Sequence, residues 1–301
     1  MRKPCLFTFI GYNPLSANTM ERIEDIQAEF GKADVVALAG TQRRATSLDI
    51  EQINMNNRVF LSAGWKPGQY TNKACGTALL LGRKFKAKNI QWTDHAKGQI
   101  AGRGIAAHLV SSYYNVLAIS AYFPPRPTLQ RKIGAYLATV RLVANWINDT
   151  LSRAPRGCTP LFYTDGNDGI GLQLVNGTWT FEEQTTCIDE SHSRKEIYAE
   201  GSGSQLRRVL DRHSMCLTNA NMDSRSTFFG PNGESFVDYV AIPSGLVKAT
   251  TKSGSLSTAG RRLQLIKTHR KADHIPVFVS FEYLYWYPSP NEEGQGNKWD
   301  H

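Results

Sequence analysis

The sequence lacks any apolar run long enough to cross a membrane. Its longest apolar runs, such as residues 6–10 and 77–81, are far shorter than the roughly 20 residues that a spanning helix needs. Near the N-terminus, Arg2 and Lys3 are followed by neither the continuous apolar core nor the small-residue cleavage site of a secretion signal. These absences predict an intracellular protein with no membrane-spanning segment.

The sequence has few cysteines, and no two of them are close together in the chain. The five cysteines are far apart and include no Cys-x-x-Cys pair; they are Cys5, Cys75, Cys158, Cys187 and Cys216. This pattern argues against a zinc site of the Cys-x-x-Cys kind and against a disulfide framework. We expect free thiols in a reducing compartment.

Acidic residues are outnumbered by basic ones. The chain of 301 residues has 35 Lys and Arg against 26 Asp and Glu, which leaves a formal charge of +9. An apolar content of 41% is ordinary for a globular protein, so disorder and collagen-like structure are excluded. The positive charge favours a polyanionic partner, either nucleic acid or an anionic membrane surface.

Short strand-like runs recur from end to end of the chain. They cover residues 6–10, 35–38, 59–63, 77–81, 105–110, 115–121, 161–164, 236–242 and 277–281. Three amphipathic helices are predicted between them, over 20–30, over 129–151 and after an N-cap at Ser204. Several strands follow one another with only turns between, which indicates mixed sheets with helices outside and not strict βαβ alternation. We predict one domain over 1–287 and a polar tail or linker over 288–301.

Polar residues gather after the apolar strands, where active sites form. The positions are Tyr12-Asn13, Gly40-Thr41-Gln42, Tyr122-Phe123-Pro124, Asp165-Gly166-Asn167, Asp238 and Asp273-His274. Each has a structural alternative: Asp165-Gly166-Asn167 has turn composition, Asp238 could face water, and His274 could cap a loop. Their occurrence together and in this order favours a functional interpretation.

This ordered set resembles the motifs of the endonuclease/exonuclease/phosphatase superfamily, which includes the apurinic/apyrimidinic endonucleases and the endonuclease domains of non-LTR retrotransposons. The closing motifs, Val237-Asp238-Tyr239 and Ala272-Asp273-His274, are the most specific. The resemblance spans nearly the whole chain. It implies a DNase I-like fold, an α/β four-layered sandwich in which two mixed β-sheets pack face to face with helices outside.

The resemblance also implies a role for each residue of the motifs. Asp165 would act as general base on a water that Asn167 orients, and His274, held by Asp238, would stabilise charge on the phosphoryl group. Tyr122 would lie at the scissile phosphate, and Asn13 and Asp273 would hold Mg²⁺, with Mn²⁺ as the alternative ion. Substrate contacts are expected from Asn219, Asn221, Thr227, Arg43 and Arg126.

One departure from the motifs concerns the metal. The family's Leu-Gln-Glu-Thr motif corresponds to Leu38-Ala39-Gly40-Thr41, so Gly40 replaces a metal-binding glutamate. Magnesium is usually held by one or two protein carboxylates and waters, so the loss is expected to weaken metal binding without abolishing it. Gln42 could supply an oxygen only if the strand continued that far.

Three functions remain open from the sequence. The first is a Mg²⁺-dependent DNA endonuclease domain of retrotransposon type, nuclear if it acts on chromosomal DNA, impaired by Gly40 and followed in a longer polyprotein by a reverse transcriptase domain. The second is a phosphoinositide-type phosphatase on the same scaffold. The third is an inactive nucleic-acid-binding relic. Arginines beside several motifs, among them Arg43, Arg103 and Arg126, favour nucleic acid over a small headgroup.

Overall fold

The computed structural model describes residues 5–45, 49–55, 58–65, 75–168, 172–175, 178–181, 200–222, 226–230, 233–264 and 273–283. The helices are Met20–Glu29 (α1), Ile133–Ser152 (α2), Ser202–Arg212 (α3), Thr218–Met222 (α4) and Ser257–Leu263 (α5). The strands are Cys5–Tyr12 (β1), Val35–Ala39 (β2), Glu51–Met55 (β3), Arg58–Ala63 (β4), Thr77–Leu81 (β5), Ile90–His95 (β6), Gly104–Val110 (β7), Asn115–Tyr122 (β8), Thr159–Asp165 (β9), Leu172–Val175 (β10), Thr178–Phe181 (β11), Met215–Leu217 (β12), Phe228–Gly230 (β13), Gly233–Ser235 (β14), Asp238–Pro243 (β15), Thr250–Ser255 (β16) and Val277–Tyr283 (β17).

Two mixed sheets form the centre of the molecule. The first has the strand order β16-β17-β1-β2-β5-β4-β3 and the second β12-β15-β9-β8-β7-β6. Pairing is parallel only between β1 and β2 and between β8 and β9 in these two sheets. Two hairpins, β10–β11 and β13–β14, stand apart from them.

The sheets pack face to face, with helices on their outer surfaces. Inward-facing residues of both sheets form one buried cluster that includes Phe7, Phe9, Leu161, Val240 and Val279. A second cluster packs α2 and α3 on the outside of the six-stranded sheet, and a third packs α1 and α5 on the seven-stranded sheet. The predicted α/β four-layered sandwich is therefore confirmed.

The sequence pattern missed the polar strands. All nine apolar runs lie within strands or overlap them, but β3, β6 and β16 were not predicted. Each of these three is an edge strand of its sheet, as is the short β12. An edge strand has neighbours on one side only, so its sequence carries little apolar signal.

Two helix starts also differ from the prediction. The long helix begins at Ile133 and not at Leu129, which is 46% exposed and precedes a 3₁₀ turn over Gln130–Lys132. The third helix has Gly201 as its N-cap, so Ser204 lies within the first turn. The buried faces are as expected, with Ile23 and Leu206 fully buried.

Some sequence predictions concern residues outside the described ranges. Cys187 and the tail over 288–301 are among them, so the domain boundary stays a prediction. Cys75 and Cys158 are buried free thiols. None of the helices in the described ranges is long and apolar enough to cross a membrane.

Candidate active site

The polar residues of the site continue the inward-facing positions of three strands. Side chains of a strand alternate between its two faces, so every second residue points into the space between the sheets. The inward series are Phe7, Phe9, Gly11 and Asn13 from β1, Leu161, Tyr163 and Asp165 along β9, and Ile242, Val240 and Asp238 along β15. The apolar core thus changes into a cluster of polar side chains at one rim of the sandwich.

Strand pairing brings the two carboxylates of this rim together. Asp165 on β9 is the direct cross-strand partner of Asp238 on β15 and also of Tyr122 on the neighbouring β8. Both aspartates are fully buried. Charges in such a position are costly unless they are paired or hydrogen-bonded, so the contacts of each carboxylate decide its state.

Asp238 and His274 form a hydrogen-bonded pair. Nδ1–H of His274 donates to Oδ2 of Asp238 over 2.9 Å, and the hydroxyl of Tyr163 donates to Oδ1 over 2.8 Å. Burial lowers the pKa of His274, but the charge and the hydrogen bond of Asp238 outweigh it and raise the pKa to about 8. The imidazole is therefore cationic at neutral pH, with Nε2 directed away from Asp238.

The short hairpin β13–β14 holds the segment that carries His274. The backbone N–H of Phe229 donates to the carbonyl of Asp273 over 2.9 Å, and that of Ile275 donates to the carbonyl of Thr227 over 2.7 Å. The ring of Phe228 lies 4.8 Å from that of His274, centroid to centroid. The hairpin thus fixes the position of His274 from both sides.

Asn13 and Asn167 hold Asp165. Nδ2 of Asn13 donates to Oδ2 of Asp165 over 2.7 Å, and the backbone N–H of Asn167 donates to Oδ1 over 2.9 Å. Asn167 has a positive φ of 51°, a left-handed turn conformation that asparagine tolerates. Burial, and after it the charge of Asp238, raise the pKa of Asp165 to about 7 despite these donors. A carboxyl with this pKa exchanges a proton readily near neutral pH.

Tyr122 lies at the same rim with a buried arginine beside it. Tyr122 is 4% exposed, and burial followed by the charge of Asp165 raises the pKa of its hydroxyl, which stays protonated. The guanidinium of Arg103 lies 5.5 Å from the centre of the Tyr122 ring and donates to the Tyr122 carbonyl over 3.4 Å. Arg103 is 2% exposed, so it packs beneath Tyr122. The expectation that Arg103 lines a surface for phosphates is therefore not met.

Gly40 is not an open gap where a carboxylate could simply be restored. Its φ is +68°, in the left-handed region, and a Cβ at this position would overlap Oδ1 of Asn13. Strand β2 ends at Ala39, and Gln42 has a φ of +56° and an exposed side chain. The side chain of Asn13 therefore occupies the space next to Gly40, and Gln42 does not continue the strand.

The oxygens at the rim fit a weak divalent-cation site. A narrow cleft is lined by Asn13, Gln264, Asp273 and His274, among others. Oδ2 of Asp273 is buried and has no hydrogen-bond partner within the described ranges, which is the situation that a cation would relieve. Potential ligand atoms of Asp165, Asp238 and His274 also lie within 4.8 Å of one another, but the protonated imidazole described above offers no lone pair to a cation. Asp273 and Asn13 are the residues that would hold the ion.

The predicted substrate contacts divide into two groups. Asn219 and Thr227 are buried at 1% and 0%: the amide of Asn219 bonds the backbone of β15 on both sides, and the hydroxyl of Thr227 accepts from the N–H groups of Val237 and Asp238. These bonds hold β15 in place, and the assignment of both residues to substrate binding stays a prediction.

The other three predicted contacts have different outcomes. Arg43 forms an ion pair with Glu51 over 2.8 Å and lies 5.5 Å from the ring centre of Phe60. Its guanidinium therefore contacts strands β3 and β4 at the edge of the first sheet. Arg126 is exposed and follows the last residue of β8, Tyr122, by four positions. Asn221 is in α4, and its side chain lies outside the described part of the chain.

Sequence reasoning missed Tyr163 as part of the site and expected Arg103 at the surface, where the structure buries it. Tyr163 stands two residues before Asp165, which places it on the same face of β9. This alternation was the sequence signal that could have identified Tyr163. It was overlooked because a tyrosine among apolar strand residues is typical of an ordinary core position. The burial of Arg103 carried no sequence signal, because it follows only from the packing of loops.

Comparisons with known proteins support the fold. No family model matches the sequence, and no curated protein matches it significantly. Among solved structures, an AP endonuclease from Leishmania major is similar with a TM-score of 0.64 and 11% identity, covering 93% of this chain and 88% of its own. The 3′ phosphatase NExo from Neisseria, bound to a product DNA hairpin, is similar with a TM-score of 0.59 and 13% identity, covering 92% and 100%.

A third similar structure is the endonuclease domain of TRAS1, a telomere-specific non-LTR retrotransposon. Its TM-score is 0.51 at 11% identity, and the match covers 91% of this chain and 98% of that one. At these identities the similarity concerns the fold. The chain shares with these structures the DNase I-like fold, an α/β sandwich of two mixed sheets.

Proposed function

We propose that the protein is a metal-dependent phosphodiesterase that cleaves DNA as an endonuclease of retrotransposon type. The observation that carries this proposal is the convergence of Asp165, Asp238 and His274, all buried, at the rim of the two-sheet core. Such a set offers a base with a pKa near neutrality next to a cation that can stabilise a phosphoryl oxygen. The fold is shared with nucleases and a phosphatase, which supports the same reaction class.

The residues of the rim divide the work of phosphodiester hydrolysis. Asp165 accepts a proton from the attacking water, and Asn167 keeps the carboxylate oriented. The imidazolium of His274, fixed by Asp238, stabilises the negative charge that develops on the phosphoryl oxygens. The neutral hydroxyl of Tyr122 donates to the phosphate or to the leaving oxygen.

A bound Mg²⁺, or Mn²⁺, supplies positive charge to the phosphate and the leaving oxygen. Asp273 and Asn13 are the residues proposed to hold it. With Gly40 in place of a carboxylate, we expect weak binding, saturating only at high concentrations of the ion.

DNA is the proposed substrate because of the charge of the chain and because of its structural relatives. The chain has a formal charge of +9, and one of the similar structures holds a DNA hairpin. The likeness to the TRAS1 endonuclease domain supports the retrotransposon type and, with it, a reverse transcriptase as the partner in a longer polyprotein. If the substrate is chromosomal DNA, the protein acts in the nucleus.

The test is nicking of supercoiled plasmid in Mg²⁺, in Mn²⁺ and in EDTA, with His274→Ala and the remote control His213→Ala. We expect nicking that needs the metal, is lost by at least about a hundredfold in His274→Ala and is retained in His213→Ala. Equal nicking by His274→Ala and the unaltered chain would exclude this site. An inositol polyphosphate offered in parallel tests the phosphatase alternative, which predicts phosphate release without nicking.

One observation favours a second candidate, an inactive DNA-binding protein. The position of the missing carboxylate is filled by Asn13, so the site holds fewer anionic ligands than the motif requires. This candidate predicts binding of duplex DNA with no nicking in either metal.

A further inference from the structure

Tyr163 makes a contact that the proposed catalytic roles do not use. Its hydroxyl donates to Oδ1 of Asp238 over 2.8 Å, on the side of the carboxylate opposite to His274. Tyr163 is fully buried, and burial together with the charges of Asp238 and Asp165 keeps its pKa well above the ordinary value of 10. The phenol is therefore a permanent donor that cannot reach substrate.

The ring of Tyr163 fits because position 11 is glycine. Both residues face the space between the sheets, Gly11 on β1 and Tyr163 on β9. A Cβ on Gly11 would overlap the ring carbons of Tyr163. Gly11 has no positive φ that would call for glycine, so the close approach of the ring is the reason for the missing side chain.

Asp238 has few other restraints on its side chain. Its backbone N–H donates to the hydroxyl of Thr227 over 3.0 Å, which fixes the strand but leaves rotation about the side-chain bonds free. The carboxylate is held by one donor at each oxygen, Tyr163 at Oδ1 and His274 at Oδ2. Without the phenol, Oδ1 would be buried with no donor among the described contacts, and the carboxylate could turn away from the imidazole.

We propose that Tyr163 is a positioning residue for the Asp238–His274 pair and that Gly11 provides the room for its ring. The inference rests on the proposed function for its kinetic consequence, because orientation of His274 matters only if His274 contacts the phosphate. Its structural content, the hydrogen bond to Asp238, can be tested without any reaction.

The deciding variant is Tyr163→Phe, which keeps the ring and removes only the hydroxyl. The readout is hydrogen exchange of the His274 Nδ1–H proton, followed by NMR on imidazole-labelled protein without added metal. We expect this proton to exchange at least about tenfold faster in the variant, since a less ordered Asp238 protects it less. Tyr114→Phe is the matched control: Tyr114 is also buried, and its hydroxyl accepts from Lys84 at the other end of the sheets.

Gly11→Ala tests the space for the ring. An added methyl group displaces the Tyr163 ring, so exchange of the same proton is expected to accelerate, whereas Gly245→Ala, where a methyl group meets no atom within 4 Å, leaves it unchanged. If Gly11→Ala does not fold, Tyr163→Phe still decides the question.

Kinetics on plasmid DNA complete the test. For Tyr163→Phe we expect kcat to fall about tenfold with KM changed by less than about twofold, because the hydroxyl does not touch substrate. Unchanged exchange of the Nδ1–H proton in Tyr163→Phe overturns the inference, and so does a rise in KM with kcat unchanged. If the unaltered chain does not nick DNA, the proposed function fails while the exchange measurement still decides the role of Tyr163.

Discussion

At the residue scale, burial sets the charge state of the two groups that would carry the reaction. Asp165 and His274 both have pKa values raised in the folded protein, to about 7 and about 8. Their causes differ: desolvation disfavours the Asp165 carboxylate, whereas the Asp238 carboxylate favours the His274 cation. The pair is thus poised to exchange protons close to neutral pH.

These two shifts predict that stability falls as pH rises. Asp165 binds its proton more tightly when folded, so its contribution is present below 3.8 and is lost as pH rises to about 7. The contribution of His274 is present below 6.5 and is lost as pH rises through about 8. Together they should lower the free energy of unfolding by at least about 1 kcal/mol between pH 5 and pH 8, measured by urea denaturation without divalent ions.

The matched variants are Asp165→Asn and Asp149→Asn. The first removes a titrating buried carboxyl, so the slope of stability against pH should flatten below pH 7. The second changes an exposed residue of α2 and should keep the slope of the unaltered chain. A slope that Asp165→Asn leaves unaltered would show that this carboxyl titrates normally.

At Gly40, the backbone and the neighbouring side chain decide whether restoring the missing carboxylate by mutation can restore metal binding. Gly40→Ala should lower the free energy of unfolding by about 2 kcal/mol, from the strain of a side chain at positive φ and from displacement of Asn13. Gly40→Glu should cost at least as much and should not raise nicking, because the new side chain pushes Asn13 away from Asp165.

Urea denaturation and the plasmid assay check both parts of this prediction. Gly157→Ala serves as the control, since Gly157 has a φ of +71° but open space around it, so it reports the backbone strain alone. A gain of nicking in Gly40→Glu would mean that Asn13 yields easily and that the missing carboxylate is the main defect.

At the element scale, the hairpin β13–β14 joins the two ends of the site. Thr227, just before β13, accepts two N–H groups of the strand that carries Asp238 and, through its carbonyl, receives the N–H of Ile275 next to His274. Strand β13 has three residues and belongs to neither main sheet. Together with Thr227 before it, this strand connects the segment that carries Asp238 to the segment that carries His274.

Removal of the Thr227 hydroxyl should loosen this connection. Thr227→Val leaves two buried N–H groups without an acceptor, and we expect a loss of about 2 kcal/mol in the free energy of unfolding and reduced nicking. Thr218→Val is the control, because the Thr218 hydroxyl is equally buried and, among the described residues, makes one long hydrogen bond, of 3.5 Å. Equal losses in the two variants would contradict the role of Thr227.

Element prediction succeeded in the interior of the sheets and failed at their edges. A central strand such as β5, with the sequence Thr-Ala-Leu-Leu-Leu, is buried along its whole length and reads as an apolar run. The edge strand β16, Thr-Thr-Lys-Ser-Gly-Ser, carries no such pattern because only its pairing with β17 makes it a strand. Whether an edge segment has a neighbouring strand to pair with depends on the tertiary fold.

At the scale of the whole molecule, the positive charge should appear as salt-dependent DNA binding. Each lysine or arginine that neutralises a phosphate releases counterions, so affinity falls with salt in proportion to the number of such contacts. Arg126, an exposed residue four positions after Tyr122 in the chain, is the described residue proposed to make one of them. Arg126→Ala should weaken binding of duplex DNA and reduce the slope of log K against log salt by about 1.

The control for this measurement is Lys88→Ala. Lys88 lies in a 3₁₀ turn just before β6, and β6 begins opposite the end of β7 that is distant from Tyr122. Its removal changes the net charge by the same amount, so equal slopes for the two variants would indicate nonspecific attraction in place of a track at the rim.

The candidate site could be predicted in part. The ordered motifs placed Asn13, Asp165, Asp238 and His274 in one site, and the structure brings these four residues together. The motifs assigned Thr227 and Asn219 to substrate, and that assignment stays a prediction; which backbone groups their side chains bond could not be predicted from a motif. Both turned out to bond the backbone of β15.

The sequence by itself determined the class of fold, the inner strands and the members of the rim. It could do so because alternation with a period of two is written into each strand and because the motif residues follow apolar runs directly. Only the tertiary structure decided that Asn13 fills the place beside Gly40, that Tyr163 holds Asp238 and that Arg103 is buried under Tyr122. These contacts join positions from about 20 to about 75 residues apart in the chain, and they depend on how the two sheets and their loops pack.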